Sequence, residues 1–120
     1  PVATGENEYT RYGFRDLIDA RAAQYLNPDI HRCGGFSEMM KISHLAAAYD
    51  VKIAPHLVPE LSIHVLVSIP NAALVEVLAG SPDDLWEHPP TIVDGHMAAP
   101  DRPGHGMNFS ADAVKRYTAD

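Results

Sequence analysis

Residues 25–56 read YLNPDIHRCGGFSEMMKISHLAAAYDVKIAPH. The stretch opens with a short apolar run that ends in an acid, Asp29, and the pair Gly34–Gly35 then interrupts the chain. Apolar side chains recur at helical spacing from Phe36 to Tyr49, and a second short apolar run follows and ends in His56. This order predicts a strand, a helix and a second strand, which is the repeating unit of a parallel α/β sheet.

The same unit recurs on both sides of this stretch. Before it, Val2–Glu6 is a strand candidate and Thr10–Gln24 is a helix candidate. After it, a helix candidate at 59–69 opens with Pro-Glu and stops at Pro70, and Ala73–Val77 is a fourth strand candidate. The residues expected to cap the first two long helices are Thr10 and Ser37.

The number of units predicts the architecture. A complete (β/α)8 barrel needs about 250 residues, so four units in a chain of 120 residues match one half of a barrel. We therefore predict an α/β fold in which residues 1–80 form the C-terminal half of a TIM-type barrel, with about four parallel strands. Residues 81–120 are predicted to form a tail with a polar loop at 81–90, a hairpin at Ile92–Met97 and a short helix capped by Ser110.

Composition excludes several classes of protein. The chain has 9 Lys and Arg against 16 Asp and Glu, a formal charge of −7, and its basic residues are scattered, so no nucleic-acid partner is expected. No apolar run is long enough to cross a membrane, and no signal peptide is visible. The single cysteine, Cys33, excludes a disulfide scaffold and favours the reducing cytoplasm.

An ionisable residue stands at or next to the end of each strand candidate: Glu6, Asp29, His56 and Glu76. In a barrel these positions face the mouth at the C-terminal end, where barrel active sites lie. For any one of them alone, a helix cap or a solvated loop residue is the simpler explanation. Three carboxylates and an imidazole together suggest a hard, oxygen-preferring cation beside a proton-transfer base, with the Asp29 carboxylate next to the His56 ring.

Several short motifs in this order resemble the enolase superfamily, and within it the mandelate racemase subgroup. They are Gly5-Glu6-Asn7, Asn27-Pro28-Asp29, Gly34-Gly35, Pro55-His56, Glu76, Asp94-Gly95 and Pro103-Gly104-His105-Gly106. The run from Asp29 to Gly35 is similar to that of acid-sugar dehydratases of the galactarate or talarate type. The resemblance covers nearly the whole chain and places it as strands five to eight of the family fold.

The resemblance implies a role for each of these residues. Glu6 matches the third of three carboxylates that bind Mg²⁺, His56 matches the catalytic base, and Asp29 matches its partner. Glu76 matches the acid that, protonated or hydrogen-bonded, contacts the substrate carboxylate as charge develops on it. The expected reaction begins by removing the proton alpha to that carboxylate, with an ene-diolate held by Mg²⁺. The other two metal carboxylates, the first half of the barrel and the capping domain would lie upstream of Pro1.

Two further residues are substrate-binding candidates because they follow Asp29 closely. Arg32 offers a guanidinium that can pair with a substrate carboxylate or with a metal-ligand carboxylate, and His31 lies beside it. Cys33 has no nearby base in the sequence and is expected to be a small buried residue.

Three functions stay open at this point. The leading one is dehydration of an acid sugar by the complete enzyme, with the isolated chain inactive. The second is a racemase or epimerase of a 2-hydroxy acid that uses the same chemistry. The third is a non-catalytic half-barrel whose open sheet edges pair with a second copy, giving a homo-oligomer.

Overall fold

The structure is a computed structural model that describes residues 1–79 and 83–119, with Asp83 described by its backbone only. The chain divides into two compact units, Pro1–Val77 and Leu78–Asp120. The predicted boundary between residues 80 and 81 lies outside the described residues, as does the beginning of the loop predicted at 81–90.

The first unit is built on a parallel sheet of three short strands in the order β1 (Ala3–Thr4), β2 (Tyr25–Leu26) and β3 (Lys52–Ile53). Thr4 pairs with Leu26, and Leu26 pairs with Ile53. Four helices accompany these strands: α1 (Thr10–Asp19), α2 (Ile30–Cys33), α3 (Gly35–Ala47) and α4 (Pro59–Leu66). The predicted mixed α/β class with a parallel sheet is confirmed.

The fourth predicted strand, Ala73–Val77, is not a strand in the structure. Ile53 donates its N–H to Asn71 and accepts from the N–H of Ala73, which leaves one isolated bridge at Ala72. The next residue along the chain whose backbone faces this side is Pro55, two residues after β3 ends, and it has no N–H to donate. The parallel pairing therefore stops after a single bridge. The prediction of about four parallel strands was wrong, because the sheet has three.

The core of the first unit lies between the sheet and helices α1, α3 and α4. Phe14 and Ile18 are one helical turn apart on α1 and both are buried. The other buried apolar residues of this cluster are Leu26, Ile30, Cys33, Met39, Ile42, Ala46, Ile53, Val65, Leu66 and Ile69. Several of these side chains are wholly inaccessible, so the short strands depend on helix packing for their stability.

Helix α1 ends earlier than its apolar pattern predicts. Arg21 adopts a left-handed conformation with φ 51°, and the N–H of Ala22 reaches back to the carbonyl of Leu17. This is the hydrogen bond of a Schellman motif, in which the left-handed residue is usually glycine. Without a glycine as a signal, the sequence predicted a helix that continued to Gln24.

Neither Thr10 nor Ser37 caps a helix. Tyr9 precedes α1 and makes no capping bond, whereas α3 begins at Gly35 after Gly34, whose φ of 115° suits glycine. Ser37 lies within the first turn of α3.

The second unit contains the predicted hairpin and closing helix. Strands β4 (Ile92–Val93) and β5 (His96–Met97) pair in antiparallel fashion around Asp94–Gly95. The last helix, α5 (Ala111–Tyr117), is capped by the Ser110 hydroxyl, which accepts the N–H of Ala113 at 3.0 Å. Both predictions are confirmed. No helix among residues 1–79 and 83–119 is long and apolar enough to span a membrane.

Candidate active site

The register of the sheet brings three of the predicted site residues to one edge. Glu6 lies two residues beyond Thr4, the last residue of β1, and Asp29 and His56 lie three residues beyond Leu26 and Ile53. Asp29 and His56 also form a parallel backbone bridge, closed by the N–H of His56 and the carbonyl of Pro28. The carboxyl ends of parallel strands share an edge, so these side chains converge there.

A chain of polar contacts connects these three side chains. Nδ1 of His56 lies 2.9 Å from Oδ2 of Asp29, and Nε2 of the same ring lies 3.4 Å from Oε2 of Glu6. The exposed fraction of the side chain rises from 8% at Asp29 to 16% at His56 and 48% at Glu6. The expected juxtaposition of Asp29 and His56 is present, and the chain of contacts runs from a buried carboxylate to a half-exposed one.

Asp29 has a second task as the N-cap of α2. Its Oδ1 accepts the backbone N–H of His31 at 2.8 Å and that of Arg32 at 3.2 Å. Burial raises the pKa of Asp29, but the hydrogen bonds from His56, His31 and Arg32 more than offset it, and the net pKa lies below its ordinary value. Asp29 is therefore ionised at neutral pH, with one oxygen held by the helix and the other directed at the imidazole.

Glu6 lies in a tight turn immediately after β1. The N–H of Glu8 donates to the carbonyl of Gly5 at 3.0 Å, which makes Glu6 and Asn7 the central residues of the turn. Gly5 is buried with φ 120°, and a Cβ atom there would lie 2.6 Å from the ring of Phe14. Only glycine fits at this position, so the packing of α1 against β1 fixes where the turn begins.

Glu76 contacts the backbone that follows His56. Its Oε2 accepts the N–H of Leu57 at 2.8 Å. Leu57 and Val58 both adopt left-handed conformations, with φ 49° and 45°, and a β-branched residue such as Val58 rarely does so. Glu76 therefore holds a strained connection between the candidate base and α4, although it does not lie on a regular strand.

Arg32 and His31 lie on α2 and differ in what they contact. Nη1 of Arg32 donates to Oδ1 of Asn7 at 2.7 Å and to the carbonyl of Glu6 at 3.2 Å. His31 is exposed and contributes its backbone N–H to Asp29. Cys33, at the end of the same helix, is wholly buried, and burial raises the pKa of its thiol to about 11, which agrees with its prediction as a packed residue.

The sequence predicted neither a role for Asn7 nor the helix α2 that carries Arg32 and His31. Asn7 enters the sequence argument only within the Gly5-Glu6-Asn7 motif, and its bond to Arg32 joins positions 25 residues apart. Helix α2 has four residues, which is too short for apolar periodicity. An acid two residues before His31 is the one hint of a helix cap in this part of the sequence.

A half-exposed carboxylate such as Glu6 suits Mg²⁺ in kind, because this cation prefers oxygen ligands. Among residues 1–79 and 83–119, no group of three or more His, Cys, Asp or Glu lies close enough together to hold a metal ion. In this part of the chain, Glu6 therefore offers one carboxylate and not a complete metal site.

Comparison with known proteins identifies the family. Residues 1–113 match the family described as enolase C-terminal domain-like. The chain belongs to this family. Within the enolase superfamily, this member is 35% identical to D-xylonate dehydratase of Haloferax volcanii over all of its length, which is 31% of that relative.

Solved structures give the same result. The enolase-like chain matches L-talarate dehydratase of Polaromonas sp. JS666, solved with Mg and L-glucarate, at 36% identity and a TM-score of 0.84, covering 100% of this chain and 33% of that one. It also matches a racemase from Streptomyces coelicolor A3(2) with bound magnesium at 32% identity and a TM-score of 0.86, covering 95% of this chain and 31% of that one. The chain thus spans about a third of the length of the relatives it matches.

Proposed function

We propose that this chain is the C-terminal half-barrel, strands five to eight, of a Mg²⁺-dependent acid-sugar dehydratase, with residues 1–80 in the barrel and 81–120 as its tail. One observation carries the proposal: the Asp29 carboxylate holds Nδ1 of His56 at 2.9 Å, and the opposite nitrogen faces the edge of the sheet beside Glu6. This geometry suits a general base whose tautomer is fixed by a hydrogen bond from its other ring nitrogen to a carboxylate.

His56 is the proton-transfer group of the proposed reaction. With Nδ1–H donated to Asp29, Nε2 has a lone pair and accepts the proton alpha to the substrate carboxylate. The beta C–O bond then breaks, and the hydroxyl leaves as water after it takes a proton from an acid. The same imidazole, now protonated at Nε2, is a suitable donor for that second step.

The other site residues are assigned to binding. Glu6 is the proposed Mg²⁺ ligand, and the bound cation would supply charge stabilisation for the substrate carboxylate. Glu76 is proposed to contact that carboxylate through a proton carried on Oε1, since Oε2 already accepts the N–H of Leu57. His31 is exposed, and the Nε and Nη2 donors of Arg32 contact no other described residue, so both side chains are proposed to bind the polar substrate.

Racemisation is the second candidate, and the match to a racemase with bound magnesium favours it. The two reactions share removal of the alpha proton and differ in the step after it. In racemisation a proton returns to the same carbon from the opposite face, and no water leaves.

The remaining ligands and the capping domain are proposed to come from other parts of a longer polypeptide, because the relatives are about three times the length of this chain. The open edges of a three-stranded sheet also favour association, so we propose a homo-oligomer. A cytoplasmic location is proposed on the single buried thiol of Cys33.

The test uses the complete polypeptide with the substitution His56→Asn. We expect turnover of acid sugars such as D-xylonate or L-talarate to fall by about 10²- to 10⁴-fold, with Mg²⁺ binding nearly unchanged, because the imidazole moves protons. His44→Asn is the matched control, since His44 is an exposed histidine on α3, and it should keep full activity.

Product analysis in deuterated water separates the candidates. A dehydratase gives a 2-keto-3-deoxy acid, whereas a racemase gives the starting acid with inverted configuration and deuterium at the alpha carbon. Full activity in His56→Asn would refute the assignment of the base. Absence of both products from a polypeptide that binds Mg²⁺ would favour the non-catalytic alternative.

A further inference from the structure

The side chain of Arg32 connects two parts of the candidate site that lie far apart in the sequence. Its guanidinium reaches from α2 to the turn after β1, where Nη1 donates to the carbonyl of Glu6 and to the side chain of Asn7. These two acceptors are the two central residues of the Gly5–Glu8 turn. One nitrogen atom therefore contacts both residues that set the position of the Glu6 side chain.

The backbone of Arg32 is anchored at the other half of the site. Its N–H donates to Oδ1 of Asp29, whose Oδ2 holds the ring of His56. The first turn of α2 is thereby fixed to a buried carboxylate, and the arginine extends from a rigid base toward the turn.

Few other contacts hold the turn itself. Among the described residues, the polar contacts of Glu6 and Asn7 are the two from Arg32 and the 3.4 Å ion pair between Glu6 and His56. The Glu8–Gly5 hydrogen bond closes the turn but does not set its tilt relative to α2. Both central residues are exposed, so packing does not replace these polar contacts.

We infer that Arg32 and Asn7 form a clamp that positions the Glu6 carboxylate for cation binding. Arg32 acts as a positioning residue in this role, in addition to any contact it makes with substrate, and Asn7 is its partner. The inference rests on the proposed function only where it assigns Mg²⁺ to Glu6. The clamp itself is defined by contacts within this chain.

The test uses Arg32→Met and Asn7→Leu in the complete polypeptide, each of which removes one side of the clamp. We expect the Kd for Mg²⁺, measured by calorimetry, to rise by about 10-fold in both variants, within the 10- to 100-fold range typical of residues that support a metal ligand. The double variant should bind Mg²⁺ no more weakly than Arg32→Met alone, because Arg32→Met already removes the bond that Asn7→Leu removes. Asn7→Asp, which keeps an acceptor oxygen, should restore Mg²⁺ affinity.

A second measurement does not depend on the metal or on turnover. Amide hydrogen exchange at Glu8, whose N–H closes the turn, should become faster by several-fold in Arg32→Met and Asn7→Leu. Arg15→Met is the matched control, because Arg15 is an exposed arginine whose ion pair is with its neighbour Asp16, and it should change neither quantity.

The outcomes separate the clamp from the proposed function. Amide exchange at Glu8 could be faster in both clamp variants while the complete polypeptide is inactive or does not depend on Mg²⁺. That result would support the clamp and refute the dehydratase proposal. The clamp would be refuted if Asn7→Leu changed neither the Kd for Mg²⁺ nor amide exchange at Glu8, while Arg32→Met raised the KM for the acid sugar. Arg32 would then be a substrate contact alone. Additive effects in the double variant would also refute it.

Discussion

Replacing Asp29 with asparagine should invert the tautomer of His56. Oδ1 of Asp29 accepts two backbone N–H groups, from His31 and Arg32, so in Asp29→Asn the amide oxygen must take that place. The amide NH₂ then occupies the position of Oδ2 and donates to Nδ1 of His56. The neutral ring carries its proton on Nε2, where Glu6 accepts it, and the lone pair needed for proton abstraction is lost.

The size of this effect depends on the alternative arrangement of the amide. If the asparagine were flipped, its NH₂ would face both backbone donors. The N–H of His31 would then lose its acceptor, whereas the N–H of Arg32 would keep the backbone carbonyl of residue 29 at 3.1 Å. One unsatisfied buried donor costs about 1–3 kcal/mol, so the flipped form is disfavoured by at least about 1 kcal/mol, or on the order of 5-fold. We therefore expect kcat of the complete enzyme to fall by about 10²- to 10⁴-fold.

Two assays check this prediction. Nitrogen-15 NMR of the histidine ring reports which nitrogen carries the proton, and steady-state kinetics report kcat. Asp19→Asn is the control, since Asp19 is an exposed acid at the end of α1. A ring that keeps its proton on Nδ1 in Asp29→Asn, or an unchanged kcat, would refute the reasoning.

The same carboxylate makes stability depend on acid pH. The pKa of folded Asp29 is lowered from its ordinary value of 3.8, so the unfolded chain binds its proton first as the pH falls. Asp29 therefore contributes its full stability above about pH 4, and the contribution is lost as the pH drops through the lower folded pKa. The difference in unfolding free energy between the native chain and Asp29→Asn should shrink over that range.

Single contacts support three more predictions. Gly5→Ala should destabilise the fold by about 1–3 kcal/mol in urea unfolding, because its Cβ would clash with Phe14 at an unfavourable φ; unchanged stability would contradict the packing. Cys33 should react with iodoacetamide at pH 8 far more slowly in the folded chain than in urea, because its thiol is buried with a pKa of about 11. Amide exchange at Leu57 should accelerate in Glu76→Leu but not in Glu76→Gln, which keeps an acceptor oxygen.

The predictable part of the site is the part that depends on strand ends. Glu6, Asp29 and His56 each follow a short apolar run, and parallel pairing of those runs is sufficient to bring the three side chains together. No knowledge of side-chain packing was needed for this step. Glu76 was predicted by the same logic, and it reaches the site although its segment pairs with β3 only at Ala72.

The unpredicted features depend on single atoms. The fourth strand does not form because Pro55 has no N–H to donate to the neighbouring segment. The proline has this effect only because its side of the backbone faces that segment. Helix α1 ends at Asp19, and Arg21, two residues later, adopts a conformation usually found in glycine. Both outcomes result from tertiary pairing, which residue propensities along one chain do not encode.

The contacts between Asp29 and His56 do not by themselves distinguish dehydration from racemisation. Asp29 is ionised and is held by two N–H groups of α2, so the Nδ1 side of the ring is fixed by contacts within this chain. Removal of an alpha proton needs only the Nε2 side, and dehydration and racemisation both begin with that step. The outcome must therefore be set by groups that approach the substrate from other directions. Within this chain the groups proposed to contact the substrate are Glu6, Glu76 and the α2 residues Arg32 and His31. The choice between the two reactions thus depends on whether an acid reaches the beta hydroxyl or a second base reaches the opposite face of the alpha carbon.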